Sequence, residues 1–117
     1  MDPRHESRIA IVQELYGETF VNQPKLHDKT KKVLENMKNL NAVIQKFAPK
    51  FPIDKISKVD LAILQLSVYE LTIEKTEPPK VIINEAVELA REMGGEKTYS
   101  FVNAVLGKIY GKSIQGS

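Results

Sequence analysis

Leu61-Ala62-Ile63-Leu64-Gln65-Leu66-Ser67-Val68-Tyr69-Glu70-Leu71 carries apolar groups around most of a helical circumference. A helix that is apolar on nearly every side belongs at the centre of a bundle, surrounded by other helices. Ser57-Lys-Val-Asp60 just upstream has capping-box spacing, with Asp where Glu or Gln is commoner. The reading therefore predicts a central helix over 57–75. The pattern on either side is also helical, and no six-residue alternation of strand type interrupts it.

Upstream, Asp2 and Pro3 are suited to cap and open a helix over 3–19. Its predicted core stripe is Ile9, Val12, Tyr16 and Phe20, with Leu15 at the edge and Arg4 and Arg8 beside it. A polar connector, 21–27, leads to a helix over 29–47 capped by Asp28. There Val33, Met37, Leu40, Ile44 and Phe47 follow 4-3-4-3 spacing. Pro49 and Pro52 end it. Downstream, Pro79 opens a helix over 79–93, with Ile82, Ile83, Ala86, Leu89, Ala90 and Met93 inward and Glu85, Glu88, Arg91 and Glu92 outward. Gly94-Gly95 supplies the freedom for a stop. Thr98 caps a last helix over 99–110, Phe101, Val102, Val105, Leu106 and Ile109 pack, and Gly111 ends it. Asn84 and Asn103 are either buried with partners or surface contacts. The expectation is an all-α, compact bundle of five to six helices, a single domain over 1–111 with a frayed tail over 112–117.

Composition narrows the function. The 117 residues hold no cysteine and two histidines, His5 and His27. Disulfide scaffolds, zinc ribbons and thiol nucleophiles are excluded. No HExxH, P-loop, GxGxxG or Ser-His-Asp pattern occurs. The row Glu85, Glu88, Glu92 reads as a solvated acidic face in preference to a metal site. The expectation is no catalytic residue, no metal and no cofactor. No signal peptide and no transmembrane stretch are read, so the expected compartment is the cytoplasm, with no membrane partner.

Net charge is only +2, yet it is unevenly spread. Residues 25–58 hold nine lysines against Asp28, Glu35 and Asp54, whereas residues 59–97 hold eight acidic groups against four basic ones. Such a split suits a polyanion on one side and a basic protein on the other, or simple solubility. Arg4, His5 and Arg8 at a helix start, with Tyr16, Lys80 and Phe101, have the composition that grips single-stranded nucleic acid. On pattern alone, however, Tyr16 lies on the apolar stripe and both Tyr16 and Phe101 read as core by default.

Four blocks resemble the bacterial NusB antitermination family: Arg8-Ile-Ala-Ile-Val-Gln-Glu-Leu-Tyr16, Val59 to Leu71, Pro79-Lys-Val-Ile-Ile-Asn-Glu-Ala-Val-Glu-Leu-Ala-Arg91, and Phe101-Val-Asn-Ala-Val-Leu-Gly-Lys-Ile109. They occur in the family's order and cover most of 4–20 and 56–110. The resemblance implies a non-catalytic helical protein that binds boxA-type single-stranded RNA together with ribosomal protein S10 (NusE), alongside other Nus factors and RNA polymerase. It implies RNA contacts at Arg4, His5, Arg8, Tyr16, Lys80 and Phe101, and a protein-partner position at Asp60. Asp2, Glu6 and Ser7 dilute the family's arginine-rich start, which predicts weak RNA affinity without S10. The connector 21–27 replaces a family helix, with the lysine-rich helix 29–47 extending the RNA surface. Gln65 stands where the family often has arginine, which predicts the loss of a helix-surface contact. The alternative is a freestanding helical RNA- or protein-interaction module without antitermination activity.

Overall fold

The computed structural model describes residues 2–115, and side chains through residue 111. Among these residues six α-helices follow one another: α1 Pro3–Glu18, α2 Asp28–Glu35, α3 Met37–Phe47, α4 Lys58–Tyr69, α5 Pro79–Met93 and α6 Thr98–Gln115. No strand occurs among the described residues. A short 3-10 turn, Ile53–Lys55, precedes α4.

The apolar run in α4 is the hub, as its all-round pattern requires. Ala62 through Tyr69 are all buried, and α4 touches each of the other five helices. Ser57 caps it, accepting from Asp60 N–H at 3.2 Å. The expected continuation to residue 75 is made by one π-type turn, Glu70–Glu74, closed by Lys75 N–H donating to Glu70 C=O at 2.9 Å. Lys75 sits in the left-handed region at φ 54°, which stops the helix. Gln65 is buried within the bundle and not on its surface, and its amide donates to Asn41 at 3.0 Å, tying α4 to α3.

The single helix predicted over 29–47 is two. Asn36 turns its amide back to Lys32 C=O at 2.8 Å, competing with the backbone ladder, and its own backbone leaves the helical region (φ −104°, ψ 9°). The 4-3-4-3 apolar stripe survives the break, with Val33, Leu40 and Ile44 buried and Met37 and Phe47 packed at the margin. The expected Asp28 cap is not formed. His27 occupies the cap position and Asp28 lies inside the first turn. The 21–27 connector is pinned to α1 instead of hanging free. Gln23 donates to Glu14 C=O at 2.8 Å, and Glu14 accepts from Thr30 Oγ1 at 2.7 Å and His27 N–H at 2.9 Å. Burial opposes the charge on Glu14, but these donors outweigh it and hold its pKa below the ordinary 4.5.

Asp2 and Pro3 start α1 as expected, Asp2 accepting from Arg4 N–H at 2.9 Å. The core stripe is not the predicted one. His5, Arg8, Ile11, Val12 and Leu15 are buried, whereas Tyr16 and Phe20 are 39% and 63% exposed and Ile9 is half-buried. At about 100° per residue the true inward face is centred on Arg8, and the predicted stripe lies about 80° away from it.

Gly94 also works differently from the expectation. Its φ is −94°, and no glycine among the described residues has positive φ. A Cβ there would stand 2.5 Å from Thr98 Cβ, so the glycine is needed for close approach. Thr98 does not act as a conventional cap. Its hydroxyl accepts from Gly95 N–H at 2.8 Å and donates to Asp60 at 2.9 Å, joining the starts of α6 and α4. The stop expected at Gly111 does not occur, since α6 runs on to Gln115. Of the expected tail, 112–115 are therefore helical and 116–117 lie outside the described residues. Asn84 and Asn103 are exposed.

Truncating the centre of α4 is the clearest test of this hub. Leu64→Ala, at a position with no exposure, is expected to lower unfolding free energy by about 2–5 kcal/mol in urea titration. Phe20→Ala, at the exposed end of α1, is expected to change it by only about 0.5 kcal/mol.

Candidate nucleic-acid interface

The α1 start was expected to present Arg4, His5 and Arg8 outward, and two of the three point inward. Arg8 is 4% exposed. Its Nε and Nη2 donate to the two carboxylate oxygens of Glu70 at 3.0 and 2.8 Å, and Nη2 also reaches Glu77. Glu70, itself 2% exposed, accepts further from Lys29 Nζ at 2.9 Å, and Lys29 continues to Glu74 at 3.0 Å. The cause of this burial lies at the end of α4. A carboxylate continuing an all-buried helix demands a paired cation, and the fork of Arg8 supplies it bidentately.

His5 is likewise buried, with Nδ1 2.8 Å from Glu85 and Nε2 2.9 Å from Glu92. A carboxylate on each ring nitrogen fits an imidazolium donating from both. Glu85 is thus half-buried against α1, contrary to the solvent-facing expectation, and comes within 3.8 Å of Arg8, whereas Glu92 stays exposed as expected while still reaching His5. The hydrogen bond to Glu85 raises the His5 pKa above its ordinary 6.5; burial opposes this and Glu92 reinforces it. Burial also works against the charges of Arg8 and Glu70. Their mutual hydrogen bonds prevail, holding the arginine pKa up and the glutamate pKa below 4.5. Arg4 alone of the three is on the surface, and its Nη1 donates to Glu77 at 2.9 Å.

The rotation of α1 that buries Arg8 brings Tyr16 out. It meets Phe20 edge-on, centroids 5.1 Å apart, and Lys58 Nζ stands 5.6 Å from the Phe20 ring. Beside the start of α4, Phe101 is half-buried and packs edge-on against exposed Phe51 at 5.0 Å. Phe51, Lys55, Asp60, Lys97, Thr98 and Phe101 line an open depression of about 610 Å³. Half-buried Asp60, the expected partner-facing residue, spends one oxygen on Thr98. Lys80 is exposed in the first turn of α5.

Two clusters therefore replace one. Arg8, His5, Glu70, Glu77, Glu85 and Lys29 form a structural charge network at one end of α1. Exposed Tyr16, Phe20 and Phe51 and half-buried Phe101 gather around the start of α4 with Lys55, Lys58 and Lys97; of these only Tyr16 and Phe101 were predicted. The signal for the network was Glu70, a charged residue in an otherwise apolar run. The added rings gave no distinct signal, because they lie on separate connectors.

Residues 21–111 match the model of the NusB family, a stretch that begins after α1. The chain is 39% identical over 104 residues to the transcription antitermination protein NusB of Acetivibrio thermocellus, covering 89% of this chain and 72% of that one. It is 40% identical over 108 residues to the protein of that name from Agathobacter rectalis, covering 88% and 82%. Among solved structures, T. maritima NusB superposes with a TM-score of 0.78 at 28% identity, over 92% of this chain and 90% of that one.

The charge network makes two predictions. Glu70→Gln strands a buried guanidinium and is expected to cost about 3–5 kcal/mol in chemical unfolding, with a Glu70→Leu/Arg8→Met pair recovering most of it. His5, with its pKa raised in the fold, contributes stability that is complete below pH 6.5 and fades as pH climbs through the folded value. His5→Gln is expected to abolish that alkaline-side decline in melting temperature, measured from about pH 6 to about pH 9.

Proposed function

This chain belongs to the NusB family, and from that membership and the geometry of the exposed rings we propose that it is a non-catalytic transcription antitermination factor. On this reading it binds boxA-type single-stranded RNA jointly with ribosomal protein S10, in company with other Nus factors and RNA polymerase. One observation carries it: exposed Tyr16 and Phe20, and the Phe51–Phe101 pair, lie with Lys55, Lys58 and Lys97 around the start of α4. Unstacked bases gain by lying on such rings, and the ammonium groups take the phosphates.

The residues then divide by task. Tyr16 and Phe101 serve as stacking surfaces. Arg4 and Lys80, both exposed, serve phosphates. Arg8 and His5 act as positioning residues, since their network with Glu70, Glu85 and Glu92 sets the rotation that exposes Tyr16. Asp60 is the partner-side residue, with one oxygen engaged by Thr98 and the other carrying no such bond. The acidic half of the chain offers less to a basic partner than its sequence promised, because Glu70, Glu77, Glu85 and Glu92 are largely occupied by α1.

Titrating a fluorescent boxA-like RNA and a scrambled one, at fixed salt, with this protein alone and with S10, tests the reading. S10 is expected to tighten matched RNA and not the scramble. Equal binding under all conditions overturns it. Phe101→Ala is expected to weaken matched RNA by about tenfold, the scale of one lost base–ring stack.

A further inference from the structure

We infer that the exposed face of α3 and the turn after it form a second track for single-stranded RNA, carrying nucleotides beyond those held at the Phe51–Phe101 depression. The inference rests on the RNA-binding reading above and extends it to residues outside that site.

The stretch from Asn36 to Ile53 contains no acidic residue. On α3, Lys38, Ala42 and Lys46 recur every fourth residue and are all exposed, so they line one side of the helix. The methyl group of Ala42 leaves the space between the two lysines open, where a longer side chain would obstruct a strand lying along the helix. Lys38 to Lys46 spans about 12 Å of helix axis, long enough for more than one phosphate. Exposed Asn39 stands next to Lys38 at the start of this line. The line continues past Pro49 to exposed Lys50 and Phe51.

Two contacts connect this line to the aromatic site. Lys46 Nζ stands 5.7 Å from the Phe47 ring. Phe47 in turn borders, with Lys50, Phe51, Phe101 and Lys108, a shallow groove of about 180 Å³. Phe51 and Phe101 also border the larger depression, so groove and depression share a wall. Through Phe47, the basic line and the ring pair are therefore neighbours.

The charge is uncompensated. Among the described residues Lys29 is the lysine drawn into carboxylate pairs, while Lys38, Lys46, Lys50, Lys55 and Lys58 have no carboxylate within ion-pairing distance. The amide of Asn39 and the rings of Phe47 and Phe51 are interleaved with the ammonium groups. A plain acidic peptide uses the charges alone. A single-stranded nucleic acid uses all three, as phosphate, base edge and base face.

The test uses the intact protein with S10 and two RNAs: a short boxA-like oligonucleotide and the same sequence carrying a single-stranded extension, tried at each end. A Lys38→Gln/Lys46→Gln/Lys50→Gln variant, whose substitutions are all on the surface, is compared with the parent, and its melting curve verifies the fold. One extension is expected to tighten binding about tenfold in the parent, and to steepen the log–log salt slope by about 2, as three phosphate contacts to a single strand require. The variant is expected to lose both effects and to bind the short RNA within about twofold of the parent. The inference is overturned if neither extension helps, if the gain survives in the variant, or if short and extended RNA weaken equally. Competition by polyglutamate as effective as by unlabelled extended RNA also overturns it, in favour of an acidic protein partner. Failure of the short RNA to bind at all is a separate result, which removes the RNA reading and this track with it.

Discussion

Glu70 is a carboxylate at the end of the most deeply buried helix of the bundle, and its neutralisation constrains everything around it. An unpaired charge there is prohibitive, so the guanidinium of Arg8 has to be delivered with its donor fork aligned. That single demand sets how α1 is rotated and how far it is slid along α4. Once residue 8 faces inward, Ile11, Val12 and Leu15 follow it into the core. Tyr16, two turns on, falls about 80° off the inward direction and emerges at the surface. The buried pair and the exposed ring are two ends of one geometric requirement.

The same requirement separates roles that the α1 segment had merged. A cluster of Arg, His and Arg at a helix start looks like a phosphate grip, yet here two of its three members hold the bundle together. His5 bridges α1 to two glutamates on α5, and Lys29 draws α2 into the network through Glu70 and Glu74. At the opposite end of α1, connectors contribute what the helices do not. Phe20 and Phe51 come from segments outside regular helix, and they surround the α4 start with rings beside Lys55 and Lys58. Thr98, locked between Gly95 and Asp60 where only a glycine at 94 leaves room, fixes the α6 start and with it Phe101.

Much of the architecture could be read directly. The apolar run of α4 announced a central helix, the spacing in 33–47 survived a break at Asn36, and the prolines at 3 and 79 opened their helices as expected. The inward face of α1 was not legible in this way. Ile9, Val12, Tyr16 and Phe20 form a fair stripe on paper. The competing one contains Arg8 and His5, which a hydropathy pattern counts against burial. Their burial becomes favourable only with Glu70, Glu85 and Glu92 in place, residues that are 62, 80 and 87 positions away in the chain.

Local chemistry thus decided the elements of this protein: which segments are helical, where Asp2, Ser57 and the prolines at 3 and 79 begin them, and which helix lies at the centre. It also decided the excess of lysine in 25–58, since charge composition needs no fold. Only the tertiary structure decided which face of α1 turns inward, which glutamates are spent internally, and which rings and lysines stay free for a ligand. The reason is physical: helix periodicity is encoded by near neighbours, whereas the energy of a buried charge depends on a counter-charge that folding alone brings within hydrogen-bonding distance.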